Sequence, residues 1–420
     1  MVEERFSQQK KEKNISTGKR QGTPKKISEL KRDEEERLTL SDEELNRVLG
    51  GGLVQGSLVL FGGEPGIGKS TLTLQIAIQQ KGTEILYVSG EESEEQIRMR
   101  ADRLGISGEG CKVLCETCLE SIIESITASS FGIVVIDSIQ TMYSDAIEGA
   151  PGSVSQVRQC ASLLLRLAKE NRVSVFIIGH ITKDGSIAGP KVLEHMVDVV
   201  LSFEGDRNHV YRLLRSPKNR FGNTGELGIY EMVSQGLRGV KNPSEFLVSD
   251  RVSGLSGSAL ASSMEGIRPM IVEVQALVSS AVYGTPQRSA TGYDNRRLNM
   301  LLAVMEKKCG FRLAMKDVFV NIAGGLRLED PALDMALTAA ILSSNADIAL
   351  PPSVCFAGEV GLNGEIRPVP RIDHRISEAE KLGCSTMYVS EFTRMDYNTK
   401  PSIQIVKVAH LGDLASALFG

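Results

Sequence analysis

The sequence predicts an α/β protein: a first domain built on a mainly parallel β-sheet, followed by a second, α+β domain. Two observations carry this prediction. Up to about residue 240, unbroken apolar runs alternate with segments of helical periodicity, which is typical of a parallel sheet covered by helices on both faces. Between about 240 and 263 the composition then changes to Ser, Gly and Asn-Pro, which indicates a linker. At roughly 150 residues per domain, the chain accommodates two or three domains.

Residues 1–40 are polar and carry charges of both signs, so they are predicted to form a disordered or loosely attached arm. The first domain is predicted over 41–255. Its first helix begins at Ser41, whose S-x-x-E spacing to Glu44 has the form of a capping box, and ends at the glycines of 50–52. The elements that follow are predicted strands at 57–61, 84–88, 132–136 and 173–178 and a predicted helix at 70–80.

The second domain is predicted over 256–420, and it shows no internal repeat. Its pattern mixes short apolar strands with amphipathic helices, without the regular alternation of the first domain. The predicted elements are strands at 270–277, 317–322 and 354–358, helices at 295–307, 331–342 and 373–382, and a last helix near Leu411.

Composition and charge exclude several classes of protein. Hydrophobic residues make up 41% of the chain and charged residues 24%, which is ordinary for a globular protein with a substantial core. Lys and Arg number 48 against 52 Asp and Glu, and the net charge of −4 excludes a globally basic coat protein and an acidic disordered chain. Because no apolar window reaches the ~18 residues of a membrane span, we expect a soluble, cytoplasmic protein without a membrane partner.

The cysteines indicate no disulfide scaffold, since there are seven of them in 420 residues. Cys111, Cys115 and Cys118 have a C-x3-C-x2-C spacing that also occurs in iron–sulfur enzymes. A strand that runs into a helix and carries ordinary thiols accounts for the same pattern. Spacing without the matching fold context is a weak signal, so the second interpretation is favoured and no metal cluster is predicted.

A phosphate-binding loop is predicted between the first apolar strand and the helix that follows it. Residues 63–70 read G-x-x-x-x-G-K-S, the motif in which backbone N–H groups and a helix N-terminus cradle phosphates. Lys69 is placed to reach the β- and γ-phosphates, and the Ser70 hydroxyl to bind Mg²⁺. The residues predicted to bind the nucleotide are Gly63, Glu64, Pro65, Gly66, Ile67, Gly68, Lys69, Ser70, Thr71 and Asp137.

Hydrolysis also needs an acid that organises the metal and a group that positions water. Asp137 ends an apolar strand, which is the Walker B arrangement, so it is predicted to bind Mg²⁺ together with Ser70. Glu91 and Glu92 follow another strand, and parallel strands deliver such acids to the same edge of the sheet. One of the two could activate water while the other caps the following helix, and spacing alone leaves both assignments open.

Several of these segments resemble the RecA-type core of the RadA (Sms) DNA repair proteins. They are the phosphate loop, YVSGEES at 87–93, VIDSIQ at 135–140 and IGHITK at 178–183. The sequence KNRFG at 218–222 is the signature that marks this family among RecA relatives. The resemblance continues through 324–327 and 358–368 into a Lon-protease-like domain. It covers nearly everything after residue 40.

The resemblance implies an ATPase that uses ATP and Mg²⁺, and it assigns roles to single residues. Glu91 matches the catalytic base, and His180 matches the sensor that couples the γ-phosphate to DNA-binding loops. Lys218 and Arg220 are implied to act in trans on the nucleotide of a neighbouring subunit, where cations stabilise charge on the transferred phosphoryl group. The family forms hexameric rings, so a homo-hexamer is expected.

The expected nucleic-acid partners are single-stranded and branched DNA, and the expected protein partner is a RecA-type recombinase. The DNA-binding candidates are Arg158 in the polar segment 148–158 and Lys183 and Lys191 in 182–191, since a groove that follows the phosphate backbone needs cations. A looser basic set in the second domain could extend the DNA path: Arg288, Arg296, Arg297, Lys307 and Lys308.

The second domain is expected to lack protease activity. Alignment on the Lon pattern puts Ala332 at the position of the nucleophilic serine and Asp373 near that of the lysine base, so neither group of the catalytic pair is present. We expect a protease fold used as a scaffold for assembly and DNA binding. No cysteine precedes Cys111, so the four-cysteine zinc ribbon with which this family begins is absent from the sequence, and no zinc is predicted.

The leading interpretation is an ATP-driven motor that extends strand exchange or branch migration from a recombination joint. An ATP-dependent Lon-type protease is disfavoured by Ala332 and Asp373. A nucleotide-switched clock or scaffold protein of the RecA superfamily is the third alternative, and it would turn over ATP slowly without stimulation by DNA.

Overall fold

A computed structural model describes residues 36–105, 110–180, 193–205, 211–248, 254–281, 284–395 and 401–420. The chain divides into two compact units, Met1–Glu36 and Arg37–Gly420, and every element below belongs to the second. Most of the predicted arm lies outside the described residues. Its last part carries strand β1 (Arg37–Leu38), which pairs antiparallel with β2 (Leu53–Val54), and Leu40 is buried.

The first sheet has nine strands and is mainly parallel. In chain order they are β3 (Leu58–Gly63), β4 (Ile85–Ser89), β5 (Cys111–Cys115), β6 (Ile133–Asp137), β7 (Ser174–His180), β8 (Val199–Glu204), β9 (Tyr211–Asn219), β10 (Leu227–Val233) and β11 (Gly236–Gly239). Their order across the sheet is β11-β10-β9-β8-β3-β7-β6-β4-β5. The strands from β8 to β5 run parallel, and β9, β10 and β11 extend the sheet as antiparallel strands.

Both faces of this sheet are buried, which explains the unbroken apolar runs. In β3, Val59 and Phe61 pack into one apolar cluster, while Leu58 and Leu60 pack into another. Successive side chains of a strand point to opposite faces, so a strand covered on both sides needs apolar residues throughout. The covering helices are α1 (Glu43–Val48), α2 (Lys69–Gln79), α3 (Glu94–Leu104), α4 (Leu119–Thr127) and α5 (Val154–Asn171). The α/β prediction is confirmed.

Helix α1 begins one residue later than the capping-box pattern suggested. Asp42 is the N-cap, and its carboxylate accepts a hydrogen bond from the Leu45 N–H at 2.7 Å. Ser41 lies outside the helix, and its backbone N–H donates to the Gln80 side chain. Ser and Asp are both favourable N-cap residues, so the sequence could not fix the register between two neighbours.

The second sheet mixes parallel and antiparallel pairs and packs against helices, as expected for an α+β fold. Its strands are β12 (Ser258–Glu265), β13 (Arg268–Ser280), β14 (Arg288–Thr291), β15 (Lys316–Ile322), β16 (Val354–Ala357), β19 (Thr386–Ser390) and β20 (Gln404–Val408), and β17 (Glu359–Val360) pairs separately with β18 (Ile366–Arg367). The remaining helices are Pro243–Leu247, Asn295–Cys309, Leu333–Ala346, Ile372–Lys381 and Leu411–Phe419. No helix among the described residues combines the length and the apolar character needed to cross a membrane.

Buried polar contacts join the two sheets. The Arg268 guanidinium of β13 donates to the Glu44 carboxylate of α1 at 2.6 Å, and it also donates to the backbone carbonyls of Leu227, Val240 and Lys241. Arg268 and Glu44 are both almost fully buried. The second sheet is therefore fixed to the first through charged groups as well as apolar ones, and the boundary between 255 and 256 stays a prediction.

Candidate nucleotide-binding site

The phosphate loop has the backbone geometry that its glycines predict. Gly66 and Gly68 have φ angles of 77° and 117°, a region that side chains rarely adopt. A Cβ atom on Gly63 would lie 2.6 Å from the Phe203 carbonyl oxygen, so only glycine fits there. The loop passes directly into α2 at Lys69. The first N–H groups of a helix have no partner within it, so they are available to phosphate oxygens.

Lys69 is the first residue of α2 and is 3% exposed. Its ammonium donates to the carbonyls of Gly63 at 2.8 Å and Glu64 at 2.9 Å, so the side chain lies against the start of the loop. Burial lowers the pKa of Lys69 to about 8, although the negative charges of Asp137 and Glu91 oppose that shift. A phosphate would replace the two carbonyls and favour the charged form of the amine.

Asp137 occupies the position predicted for the metal-organising acid, at the end of β6. One carboxylate oxygen, Oδ2, accepts a hydrogen bond of 2.5 Å from the Tyr87 hydroxyl. The other, Oδ1, is buried and has no hydrogen-bond partner among the described residues. A buried carboxylate oxygen without a donor is costly unless something positive meets it. The site therefore fits a divalent cation, which Asp137 and the Ser70 hydroxyl would hold and which would neutralise phosphate charge.

The paired acids after β4 face different ways. Glu91 accepts a hydrogen bond of 2.5 Å from the Ser138 hydroxyl, next to Asp137, and lies 3.2 Å from the His180 imidazole. Glu92 instead forms an ion pair with Arg100 of α3. Glu91 is thus the acid directed toward the phosphate loop, and Glu92 is tied to the helix that follows it. The geometry favours the assignment of Glu91 as base, and that role stays a prediction.

His180 ends β7 beside Glu91, in the position expected of a sensor. Its carbonyl oxygen accepts a hydrogen bond from the Gln140 side chain at 3.5 Å, and its Nδ1 atom is buried without a partner among the described residues. Gln140 and Ser138 both come from the loop that follows Asp137 at the end of β6, so this loop contacts both Glu91 and His180. Residues 181–192 lie outside the described residues, including the DNA-binding candidates Lys183 and Lys191.

Lys218 and Arg220 lie at the other end of the sheet from the phosphate loop. The Lys218 ammonium donates to the carbonyls of Glu194 at 2.6 Å and Val197 at 2.8 Å. The Arg220 guanidinium lies 3.3 Å from Asp198, whose carboxylate also accepts the N–H of Leu58, the first residue of β3. The phosphate loop begins at the last residue of that strand.

Arg158 lies on a helix, where a loop was expected. Ser153 caps α5 and accepts the Gln156 N–H, so the polar segment 148–158 is a loop only as far as Ser153. Arg158 is exposed in the second turn of the helix. In the second sheet region, Arg297 is less available for DNA than its charge suggests, since it pairs with the fully buried Asp334.

The two positions predicted to align with a serine nucleophile and a lysine base carry neither group. Ala332 is fully buried, and Asp373 is exposed on the helix Ile372–Lys381. The nearby cation is Arg375, which is 1% exposed and lies 2.8 Å from Asp330. An arginine held in a buried ion pair cannot act as a general base, because it stays protonated.

The nine-stranded sheet with its phosphate loop, its strand-terminal Asp137 and its adjacent Glu91 defines a RecA-like P-loop ATPase, a class that binds ATP with a divalent cation and hydrolyses it. A family model described as an AAA domain matches residues 24–186, and one described as subunit ChlI of Mg-chelatase matches 271–392. The chain is also similar to individual proteins over most of its length.

It is 49% identical over 400 residues to the DNA repair protein RadA of Bacillus subtilis (strain 168), covering 94% of this chain and 87% of the relative. It is 47% identical to RadA of Streptococcus pneumoniae (strain ATCC BAA-255 / R6), with 94% of both chains covered. RadA of Streptococcus pyogenes serotype M1 is 45% identical over 420 residues, covering all of this chain and 92% of the relative. The chain therefore belongs to the RadA DNA repair protein family.

Two solved structures are similar in part. The match to the crystal structure of the RadB recombinase covers 47% of this chain and 97% of that chain, with a TM-score of 0.39 and 23% sequence identity. A KaiC-like protein from Pyrococcus horikoshii OT3 covers 49% of this chain and 99% of its own, with a TM-score of 0.41 and 17% identity.

Sequence reasoning missed Tyr87 and Ser138 in the nucleotide site, and Asp198 beside Arg220 at the other end of β3. Tyr87 lies within an apolar run, where an aromatic residue is normally part of the core. Ser138 follows the Walker B acid Asp137 directly, and this position could have identified it from the sequence. Asp198 meets Leu58 across 140 residues of sequence, and no local pattern reports such a contact.

Proposed function

We propose that this chain is a DNA-dependent ATPase that assembles into a homo-hexameric ring and drives branch migration or strand-exchange extension in recombinational repair. It would follow single-stranded DNA within branched intermediates and cooperate with a RecA-type recombinase. Membership of the RadA family supports a role in repair. The observation that carries the motor proposal is the separation of the phosphate loop from Lys218 and Arg220 within one subunit.

In the proposed reaction, Lys69 and the loop amides bind the phosphates of ATP, and Asp137 and Ser70 hold Mg²⁺. Glu91 accepts the proton of the attacking water, which its place beside Ser138 and His180 supports. His180 passes the state of the site to the segment that follows β7. A carboxylate held by two neighbours is oriented before the nucleotide arrives, and this reduces the reorganisation needed in the transition state.

The separation can be estimated from β3. Arg220 is bound through Asp198 to Leu58 at the start of this strand, and the phosphate loop begins at Gly63. Five residue steps of about 3.3 Å place the two ends ~17 Å apart, and an extended arginine side chain spans roughly half of that. Arg220 therefore cannot reach the nucleotide of its own subunit without a large rearrangement. We infer that Lys218 and Arg220 serve a neighbouring subunit.

The DNA path is proposed to include Arg158, Lys183 and Lys191. Arg158 is exposed near the start of α5, the helix that follows β6 and the loop with Ser138 and Gln140, and this exposure supports the placement. Cations that neutralise phosphates make binding weaken as salt rises, without sequence preference. Residues 256–420 are proposed to act as an assembly and DNA-binding scaffold that keeps a Lon-like fold without protease activity, which buried Ala332 and exposed Asp373 support.

The central experiment measures ATP hydrolysis and movement of a labelled three-strand joint for four proteins: wild type, Lys69→Ala, Glu91→Gln and Glu92→Gln. We expect wild type and Glu92→Gln to be stimulated by single-stranded DNA and to move the joint. Glu91→Gln should bind ATP but hydrolyse it at least 100-fold more slowly, since general-base catalysis contributes roughly 10²–10⁴-fold. If wild type moves the joint no faster than Lys69→Ala, the motor proposal fails. Slow turnover that DNA does not alter would instead indicate a nucleotide switch.

Mixed rings test the action in trans. Lys69→Ala subunits lack a working phosphate loop but keep the cations, and Lys218→Ala subunits have the reverse defect. Mixing the two inactive proteins should restore part of the hydrolysis at interfaces that combine an intact loop with an intact Lys218. The absence of any recovery in mixed rings of normal size would show that Lys218 acts within its own subunit or has no catalytic role.

A further inference from the structure

Tyr87 is a buried polar group within the site that the proposed reaction does not use. It lies in the middle of β4, beside β6, and its side chain is fully buried. Its hydroxyl donates to Oδ2 of Asp137 at 2.5 Å. A phenylalanine would fill the same apolar space between the strands, so the packing of the sheet does not require the hydroxyl.

The same contact determines which oxygen of Asp137 is free. Tyr87 occupies Oδ2, while Oδ1 is buried without a hydrogen-bond partner among the described residues. Without the Tyr87 hydroxyl, the carboxylate could rotate about its terminal torsion, which is broad and nearly two-fold. With the hydroxyl in place, one oxygen is fixed and the other has a defined direction.

We propose that Tyr87 is a positioning residue for the divalent cation: its hydroxyl fixes the Asp137 carboxylate so that Oδ1 is directed at the cation or its water. This inference rests on the proposed function, since the cation enters with the nucleotide. Partners that orient a metal ligand from behind typically contribute 10–100-fold to metal affinity or activity.

The test is the variant Tyr87→Phe, with Tyr230→Phe as the matched control. Tyr230 is also fully buried in the first sheet, and its hydroxyl donates to the carboxylate of Asp42 at 2.8 Å, away from the nucleotide site. Both variants lose one hydrogen bond between a buried tyrosine and a carboxylate. Only the loss at Tyr87 should affect the cation.

The readout is the binding of Mn²⁺ in the presence of ADP, measured by electron paramagnetic resonance in the absence of DNA and of ATP hydrolysis. In Tyr87→Phe we expect the half-saturating Mn²⁺ concentration to rise about tenfold, with binding of a fluorescent ADP analogue in EDTA unchanged. Tyr230→Phe should match wild type in both titrations. ATP hydrolysis by Tyr87→Phe should recover partly when Mg²⁺ is raised.

An unchanged Mn²⁺ requirement in folded Tyr87→Phe would overturn the inference, as would an equal rise in Tyr230→Phe. Should Tyr87→Phe fail to fold, Tyr87→Leu removes the same hydroxyl, leaves an apolar side chain in its place and should raise the Mn²⁺ requirement by a similar factor; no rise would count against the proposal. Failure of wild type to bind Mn²⁺ with ADP would contradict the proposed ATPase itself, which separates the two failures.

Discussion

The ion pair between Arg268 and Glu44 offers a quantitative test of how the two sheets are joined. Arg268 is 7% exposed and Glu44 is 2% exposed, and their closest atoms lie 2.6 Å apart. The guanidinium donates to three carbonyls as well, at 2.9, 3.0 and 3.0 Å. Substitution Arg268→Ala would leave a buried carboxylate and three carbonyl oxygens without this donor.

The expected loss follows from these contacts. Removing one partner of a buried ion pair costs about 3–5 kcal/mol, because the remaining charge stays buried. Arg47, 3.2 Å from the other oxygen of Glu44, continues to compensate part of that charge, so the lower end of the range applies. We expect Arg268→Ala and Glu44→Gln each to lower the free energy of unfolding by about 3 kcal/mol. The double variant should lose about 4 kcal/mol, less than the sum of the single losses, which corresponds to a coupling energy of ~2 kcal/mol.

Urea unfolding, followed by far-ultraviolet circular dichroism, measures these free energies. The matched control is Lys241→Ala, since Lys241 pairs with Glu43 at 2.7 Å close to the same contact but both side chains are mostly exposed. That variant should lose less than about 1 kcal/mol. Losses at Arg268 and Glu44 as small as the control's, or losses that simply add in the double variant, would refute the reasoning.

Three further predictions concern the nucleotide site and residues 256–420. Because burial lowers the pKa of Lys69 to about 8 and phosphate favours its charged form, ATP affinity should fall as pH rises through 8. Calorimetry at pH 8.5 in buffers of different ionisation enthalpy should detect proton uptake on ATP binding, and binding without proton uptake would contradict the prediction. Gly63→Ala should abolish nucleotide binding in an ADP titration while the fold persists, since its Cβ would meet the Phe203 carbonyl at 2.6 Å; wild-type affinity would show that the loop adapts. Ala332→Ser should not create peptidase activity against unfolded casein, because Asp373 supplies no base; cleavage by this variant would revise that view.

Much of the site could be predicted because its chemistry is encoded locally. The phosphate loop, Asp137 and the pair Glu91 and Glu92 each follow an apolar strand, and parallel strands bring such positions to one edge. What the local pattern left open was which glutamate faces the nucleotide. The ion pair of Glu92 with Arg100, eight residues further on, is the contact that separates them, and it depends on how α3 packs.

The features that the sequence analysis misplaced or left out have both local and long-range causes. Ser153 and Gln156 form an S-x-x-Q pattern, which is typical of a helix N-terminus. This pattern predicts the start of α5 and places Arg158 on a helix. Strands β9 to β11 continue the first sheet as antiparallel strands, where the alternation of helices and strands ends and the parallel pattern gives no guidance. Contacts such as Tyr87 with Asp137 join residues 50 apart, so they follow from the fold and cannot be read before it.

The two kinds of charged group that the proposed reaction needs lie near opposite ends of strand β3. Its last residue opens the phosphate loop, and its first residue donates to Asp198, which holds Arg220 and also Lys169 at 2.7 Å. Strand β3 keeps these two ends apart, which supports the proposal that Lys218 and Arg220 serve a neighbouring subunit. If they do, a shift of Asp198 in one subunit would change the rate of hydrolysis at its neighbour's nucleotide, so assembly and ATP hydrolysis would depend on each other at this residue.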